Sequence, residues 1–334
     1  MVPSELIPRK RLESLLTAAR GKHVVVVGDA MLDVYLRGDV DRVSPEAPVA
    51  VVRVTDRKYA LGGAANVAQN VIAAGARVDL VAAIGNDEHA KQVREMLRAL
   101  GADSGGLVAT DRPTTTKTRV VARSQQLLRV DEERDDDLSV GDLAQVTAAA
   151  LKALAHADAL VFEDYNKGVL VESLIAELIT AARARKIPIV VDPKYKNFFV
   201  YKGATVFKPN RRELESALGA AVDVDHDANL PSVVERLGAD SLLLTLSERG
   251  MALIERGTKG VHRIPTTARE VYDVVGAGDT VTAYLAAMLA AGATPLEAAI
   301  VANFAAGVEV GKSGAATVSP AEILAAFDDH SASS

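Results

Sequence analysis

The sequence has no cysteine, which excludes disulfides and thiolate metal sites. Its six histidines are scattered at 23, 89, 156, 226, 262 and 330, with no HExxH and no close pair, so a zinc enzyme is not expected. No Lys/Arg-rich block occurs and the net charge is −6, which argues against nucleic acid or an acidic membrane as the main partner. The most apolar run, 281–291, is about half the length of a membrane span before Gly292 and Pro295 interrupt it. The charged N-terminus lacks an apolar h-region, so no signal peptide and a cytoplasmic location are expected. There is no internal repeat and no linker long enough to divide the chain.

What remains is 334 residues, 49% hydrophobic and 25% charged, with room for one large α/β domain over 1–334. The most informative stretch is Asp273-Val274-Val275-Gly276-Ala277-Gly278-Asp279-Thr280. An apolar piece ends at two glycines, an acid follows, and 280–289 has the composition of a buried helix. Gly276, Ala277 and Gly278 therefore sit at a helix start. The amides there have no internal partners, and small residues let an anion approach them. Asp279 in the first turn adds no affinity for phosphate. It suits a base that takes a proton from an attacking hydroxyl. The plainer alternative is an N-cap acid on a glycine turn.

Two near matches fail. Val281 stands where a dinucleotide fingerprint needs its third glycine, and Gly307 to Gly311 encloses three residues where a Walker A loop needs four.

Along the chain, a charged helix is expected over 1–22 and a fully buried strand over 23–29, followed by Asp33, which is placed to take sugar hydroxyls. Residues 35–60 read as a peripheral flap, because Pro45 and Pro48 disfavour a central strand. Gly62 and Gly63 open another helix, where backbone amides and Asn66 either meet polar substrate groups or merely make a tight turn. Strand 78–83, helix 87–100 and strand 106–109 continue a β/α alternation. The β-rich stretch 114–131 reads as a second pair of flap strands. Its cations Lys117, Arg119, Arg123 and Arg129 either face a phosphorylated substrate or protect a sheet edge.

From about 140 the alternation resumes. Helix 141–155, strand 159–162, helix 171–185, strand 188–191, strand 205–207 and strand 241–245 are expected, then Ala-rich helices from 280 and 294 and a last helix from Pro320. Polar residues follow each apolar strand: Glu163-Asp164-Tyr165, Asp192-Pro193-Lys194, Lys208-Pro209-Asn210 and Ser247-Glu248-Arg249-Gly250. Such a pattern describes one crevice along the carboxyl edge of a parallel sheet. Asn210 and Glu213, three apart at a helix start, fit Mg²⁺ ligation directly or through water, and equally a capping box.

Five features in this order resemble the ribokinase-like (PfkB) sugar kinases over nearly the whole chain: Gly28-Asp29 with Asp33, Gly62 to Asn66, Lys208-Pro209-Asn210 with Glu213, Thr245 to Gly250, and Asp273 to Asp279. Within that family the stretches 42–49, 62–68 and 116–131 look most like the D-glycero-β-D-manno-heptose 7-phosphate kinases. Two departures stand out. Lys208 replaces a smaller residue, and Leu36-Arg37 replaces an aromatic pair. Both point to an altered sugar preference. No HxGH nucleotidyltransferase motif is present, so the kinase step alone is expected of this chain.

The resemblance implies a doubly wound, mostly parallel sheet with helices on both faces and a small β lid. It implies ATP-dependent phosphorylation of the anomeric O1 of a heptose 7-phosphate, a step toward ADP-heptose. Asp279 is then the base, and the Ala277 and Gly278 amides, with Gly276, stabilise the transferred phosphoryl group. Asp33, Gly62, Gly63 and Asn66 hold the sugar, and Lys117, Arg119, Arg123 and Arg129 are candidates for its phosphate. Asn210 and Glu213 organise Mg²⁺, while Thr245, Ser247, Gly250 and Asn303 border the nucleotide. A homodimer through the lid strands and a monovalent cation near Asp273 and the 309–317 loop complete what the likeness implies. The rivals are a kinase of fructose, ribose or a hexose phosphate, and a catalytically idle sugar-binding protein on the same fold.

Overall fold

A computed structural model describes residues 6–123, 125–224, 230–258 and 260–333. Of the leading helix expected over 1–22, residues 1–5 lie outside the described ones, and α1 spans Arg9–Ala18. The first strand, β1 (His23–Gly28), carries four consecutive valines. Val24 and Val26 point into one apolar layer, and Val25 and Val27 into the other. That alternation explains a continuous apolar run: a strand covered on both faces needs no polar side.

Nine strands form this sheet. In chain order they are β1, β4 (Arg77–Ile84), β5 (Leu107–Ala109), β8 (Ala159–Glu163), β9 (Ile189–Asp192), β10 (Val206–Phe207), β11 (Ser241–Thr245), β12 (Met251–Glu255) and β13 (Val261–Ile264). Their order across the sheet is β13-β12-β11-β10-β9-β8-β1-β4-β5. All pairs from β11 to β5 are parallel, and β12 and β13 close one edge antiparallel. The chain leaves β1 toward β4 and β5, then returns to the other side of β1 through β8. The order reverses there, and a crevice opens at the carboxyl ends of the strands.

One face of the sheet is covered by α2 (Ala64–Ala73), α3 (Glu88–Ala99), α8 (Ala277–Ala290), α9 (Pro295–Glu309) and α10 (Pro320–Ser333), together with α1. The other is covered by α4 (Val140–Leu154), α5 (Glu172–Ala184), α6 (Arg211–Leu218) and α7 (Leu230–Leu237). Helices α8 and α9 are apolar nearly all round because α8 is itself enclosed, with all of Thr280 to Leu289 buried.

A separate four-stranded lid has the order β3-β2-β6-β7, from β2 (Ala30–Val43), β3 (Ala50–Gly63), β6 (Thr116–Ala122) and β7 (Gln125–Glu132). The prolines at 45 and 48 fall in the β2–β3 turn, which reconciles them with two long strands. These strands begin deeper than the expected flap limits of 35 and 60. Met31, Leu32 and Leu61 are buried, and the lid ribbon grows out of the crevice itself. Among the described residues no helix is long and apolar enough to cross a membrane.

Candidate active site

The start of α8 is set by Gly276, which takes a left-handed conformation at φ 95° and accepts the first helical bond from Thr280 N–H at 2.9 Å. A Cβ there would lie 3.1 Å from Asn66 Nδ2 and 3.2 Å from Ala315, so glycine is required on both backbone and spatial grounds. The loop before it is tied down by Asp273, whose two carboxylate oxygens accept from Val275 N–H (3.1 Å) and Gly314 N–H (3.0 Å). The N–H of Ala277 donates to the Val274 carbonyl at a long 3.4 Å. Gly278 lines the crevice.

Asp279 follows, nearly enclosed. Its Oδ2 accepts from Asn66 Nδ2 at 2.6 Å and its Oδ1 from the Tyr165 hydroxyl at 3.1 Å. Asn66 is in turn fixed by Gln69 and Asn70, whose amides donate to its Oδ1 at 2.7 and 3.2 Å. Burial, and then the nearby charge of Asp192, push the Asp279 carboxyl up to about 6, against the two donors. A carboxylate so placed is ionised at neutral pH and still basic enough to take a proton. The rival N-cap reading finds no support, since the cap position is Gly276 and no side chain caps this helix.

Glu163, Asp192 and Asp279 each bring a carboxylate oxygen within 4.8 Å of the others on the floor of the crevice. Such crowding requires compensation. Lys208, only 3% exposed, supplies it with Nζ 2.7 Å from Asp192 Oδ2, and Thr282 donates to the same oxygen at 3.1 Å. Burial alone would lower the Lys208 ammonium, but Asp192, in direct contact, outweighs it and the group is held charged. Glu163 is fully buried with neither oxygen hydrogen-bonded. Burial, then Asp192 and Asp279, drive its carboxyl far above the usual range, so it keeps its proton.

On the lid side, Asp33 meets Arg119 across β2 and β6 in a charged hydrogen bond, and both line the crevice. Lys117 also lines it, 3.4 Å from Glu133 and 3.6 Å from Asp131. Arg129 is turned away, with both its hydrogen bonds on Asp131, and Arg123 sits exposed at the β6–β7 turn with φ 56°. Two of the four expected cations thus reach the cavity. Gly62 and Gly63 line it as well. Gly63, at φ 54°, leaves no room for a side chain, since a Cβ would stand 2.4 Å from the Asp29 carbonyl.

At the opposite end, Asn210 and Glu213 form a complete capping box on α6, Oδ1 accepting from Glu213 N–H and Oε2 from Asn210 N–H, both at 2.9 Å. The remaining Glu213 oxygen is taken by Lys194. Both residues still line the cavity, so the capping box does not withdraw them from the crevice. With its oxygens committed, the pair can hold a hard cation through water more readily than directly. Thr245 lines the cavity beside Asn210. Ser247 and Gly250 follow in a tight turn that is not part of the cavity wall. Asn303 is buried in α9, its side chain donating to the Pro265 carbonyl at 2.8 Å and its backbone carbonyl accepting from Thr267 Oγ1 at 3.0 Å. It shapes the 265–267 segment and does not line the cavity.

The cavity holds about 270 Å³ and runs between these two ends. Tyr165, Asp192, Lys194 and Lys208 line it too, with Glu163 beneath. The sequence places them on the crevice as the first polar residues after apolar strands but assigns none of them a catalytic or binding role.

Three comparisons bear on what this geometry is for. The profile of the pfkB family carbohydrate kinases matches residues 21–322. The chain is 46% identical over 324 residues to the Bifunctional protein HldE of Geobacter sulfurreducens, and 44% identical over 321 residues to that of Geobacter metallireducens. Each match covers 95% of this chain and 65% of the relative, so the chain spans about two thirds of the length of the curated relatives it matches. Among solved structures, Arabidopsis thaliana ribokinase complexed with ribose and ATP aligns with a TM-score of 0.73 at 20% identity, over 92% of this chain and 99% of that one. Phosphofructokinase-2 from Escherichia coli aligns in a tetrameric inhibited form (TM-score 0.75) and in complex with potassium (0.73), each at 16% identity over 93% of this chain and 99% of the other. At these identities the structures establish the fold.

Proposed function

The chain belongs to the pfkB family of carbohydrate kinases, and from that premise we propose that it transfers the γ-phosphoryl group of ATP to O1 of D-glycero-β-D-manno-heptose 7-phosphate, giving the 1,7-bisphosphate on the way to ADP-heptose. The observation that carries this reading is the 46% identity to a bifunctional HldE across 95% of the chain, substrate-side lid strands included. Residues 1–334 are read as one kinase domain acting in the cytoplasm.

The chemistry follows from the crevice. Asp33, Gly62, Gly63 and Asn66 border the acceptor end and Thr245, Asn210 and Glu213 the donor end. Asp279 takes the proton of the acceptor hydroxyl as its oxygen bonds to the γ-phosphorus and the bond to the ADP oxygen breaks. With the Ala277 amide already held by the Val274 carbonyl, it is the Gly278 end of the α8 first turn, with the Lys208 ammonium, that faces the charge developing on the transferred group. Mg²⁺ held through water by Asn210 and Glu213 would neutralise charge on the nucleotide phosphates. A monovalent cation is assigned to the carbonyls between Asp273 and the 309–317 loop, the two segments joined by the Tyr272 and Asp273 amides on the Val310 carbonyl.

A second reading has its own support. Arg119 and Lys117 already carry carboxylate partners, as suits an unphosphorylated sugar of the fructose or ribose type. A coupled ATP-turnover assay with heptose 7-phosphate, sedoheptulose 7-phosphate, fructose, fructose 6-phosphate and ribose separates the two. Heptose 7-phosphate is expected to give the highest kcat/KM. Preference for an unphosphorylated sugar would discard the phosphate-clamp role of the lid cations, and silence on all five would favour an idle binder. Repeating the assay without Mg²⁺, and with choline in place of K⁺, tests the two cations.

The homodimer belongs to the same proposal. The lid exposes Val43 (65%) and Leu128 (56%), with Val49, Val54, Leu127 and Val130 also open to solvent, an apolar surface suited to a second lid. Sedimentation should show a dimer that Leu128→Asp with Val43→Asp converts to monomer. A wild-type monomer at micromolar concentration would refute it.

A further inference from the structure

Tyr165 stands where the reaction described above gives it nothing to do. Its hydroxyl donates to the base from a half-buried position on the cavity wall, and its loop is anchored from below. Asp29 accepts from three amides at alternate positions of that loop: Tyr165 at 2.8 Å, Lys167 at 3.0 Å and Val169 at 3.4 Å. One face of the ring lies 5.1 Å from the Lys194 ammonium, and Cδ2 is 3.5 Å from where a Gly63 Cβ would be. The side chain is therefore clamped from the backbone, from the sugar-side turn and from the nucleotide end.

We propose that Tyr165 is a positioning residue for the base: its hydroxyl donates to Asp279 Oδ1 while Asn66 donates to Oδ2, so that the remaining lone pairs of the carboxylate are turned toward the acceptor hydroxyl. The proposal rests on Asp279 being the base. A carboxylate with one donor could pivot about its Cβ–Cγ bond; with one donor on each oxygen it is fixed in plane. The same two bonds favour the ionised form of Asp279. They act against burial and against Asp192 on β9, with Lys208 on the segment after β10 on their side; Glu163 on β8 and Glu309 on α9 also face Asp279, whose charge raises their carboxyls in turn. Burial, and then Asp279 itself, hold the phenol far above its usual range, so it remains a donor throughout the working pH.

The test compares kcat/KM from about pH 5.5 to about 9 for wild type, Tyr165→Phe and Asp279→Asn, using ATP and the best acceptor of the panel. With the phenol removed, the acidic limb should move up by about one pH unit. Turnover near pH 6 should then fall about fivefold more than that near pH 8.5, which should fall by less than about threefold, with KM for ATP unchanged. Incorporating 3-fluorotyrosine at 165 strengthens the donor and should move the limb the other way, which keeps the idea testable if the Phe enzyme folds poorly. Acidic limbs that coincide with wild type in both enzymes would reduce Tyr165 to packing. Near-normal turnover of Asp279→Asn would instead overturn the base assignment, and this proposal with it.

Discussion

Replacing Asp279 with Asn is expected to lower kcat by about 100- to 10,000-fold while ATP affinity stays within about threefold. The substitution keeps the shape and lets Asn66 and Tyr165 retain a polar partner, so the fold should survive. What goes is the ability to take a proton from the acceptor. The same assignment fixes the pH dependence of wild type. With the carboxyl at about 6, the base is protonated and idle below that pH. Activity should decline about tenfold per unit below pH 6 and reach a plateau above it. Single-turnover rates and ATP binding by calorimetry check both parts. Retention of most of kcat in the Asn enzyme would remove Asp279 from the chemistry.

Lys208→Met is expected to have the second largest effect, on stability as well as rate. The ammonium is enclosed, and it offsets Asp192 and, more distantly, Asp279. Breaking a buried pair by deleting one partner costs about 3–5 kcal/mol, because the charge left behind has neither water nor partner. The urea midpoint should fall accordingly. Lys208→Met combined with Asp192→Asn should recover much of that loss, since a neutral amide tolerates the site. Activity should not return, because the cation facing the transferred phosphoryl group is still missing. Equal midpoints for wild type and the single variant would mean that water reaches the floor and screens its acids.

Much of this architecture is legible in the chain. The valine run of β1 reads as doubly covered, and the polar residues after β8, β9 and β10 do converge on one crevice, whereas Ser247 to Gly250 after β11 lie off its wall. The start of α8 follows from two glycines and an acid before an alanine-rich run. What the chain conceals is of two kinds. The antiparallel strands β12 and β13 are missed because they are short and β13 reads Val-His-Arg-Ile, with no clear apolar face. The clustering on the crevice floor is not legible, although each member is named from the chain, because Glu163, Asp192, Lys208 and Asp279 come from four separate elements, with no spacing that links them before the sheet order is known. Arg129 shows the converse. It lies opposite Arg119 across β6 and β7, yet its guanidinium folds back onto Asp131, a choice made by local charge and invisible to strand alternation.

The lid ribbon has a mechanical consequence. β2 runs as a single strand from Ala30, buried beside the central sheet, to Val43 at the exposed tip, with register shifts against β3 at Arg37/Gly38 and Val40/Arg42, and Asp33 lies near its inner end. At ~3.3 Å per residue, Asp33 is ~10 Å and Val43 ~43 Å from Ala30 along the strand. The ribbon is thus a lever with its fulcrum at the sheet, a short arm ending at Asp33 and a long arm ending at the tip. A tilt that displaces Asp33 by ~1 Å sweeps Val43 through roughly 4 Å. Whatever grips the tip gains that ratio as leverage over Asp33, and Arg119, bonded to Asp33 from the neighbouring strand, travels with it.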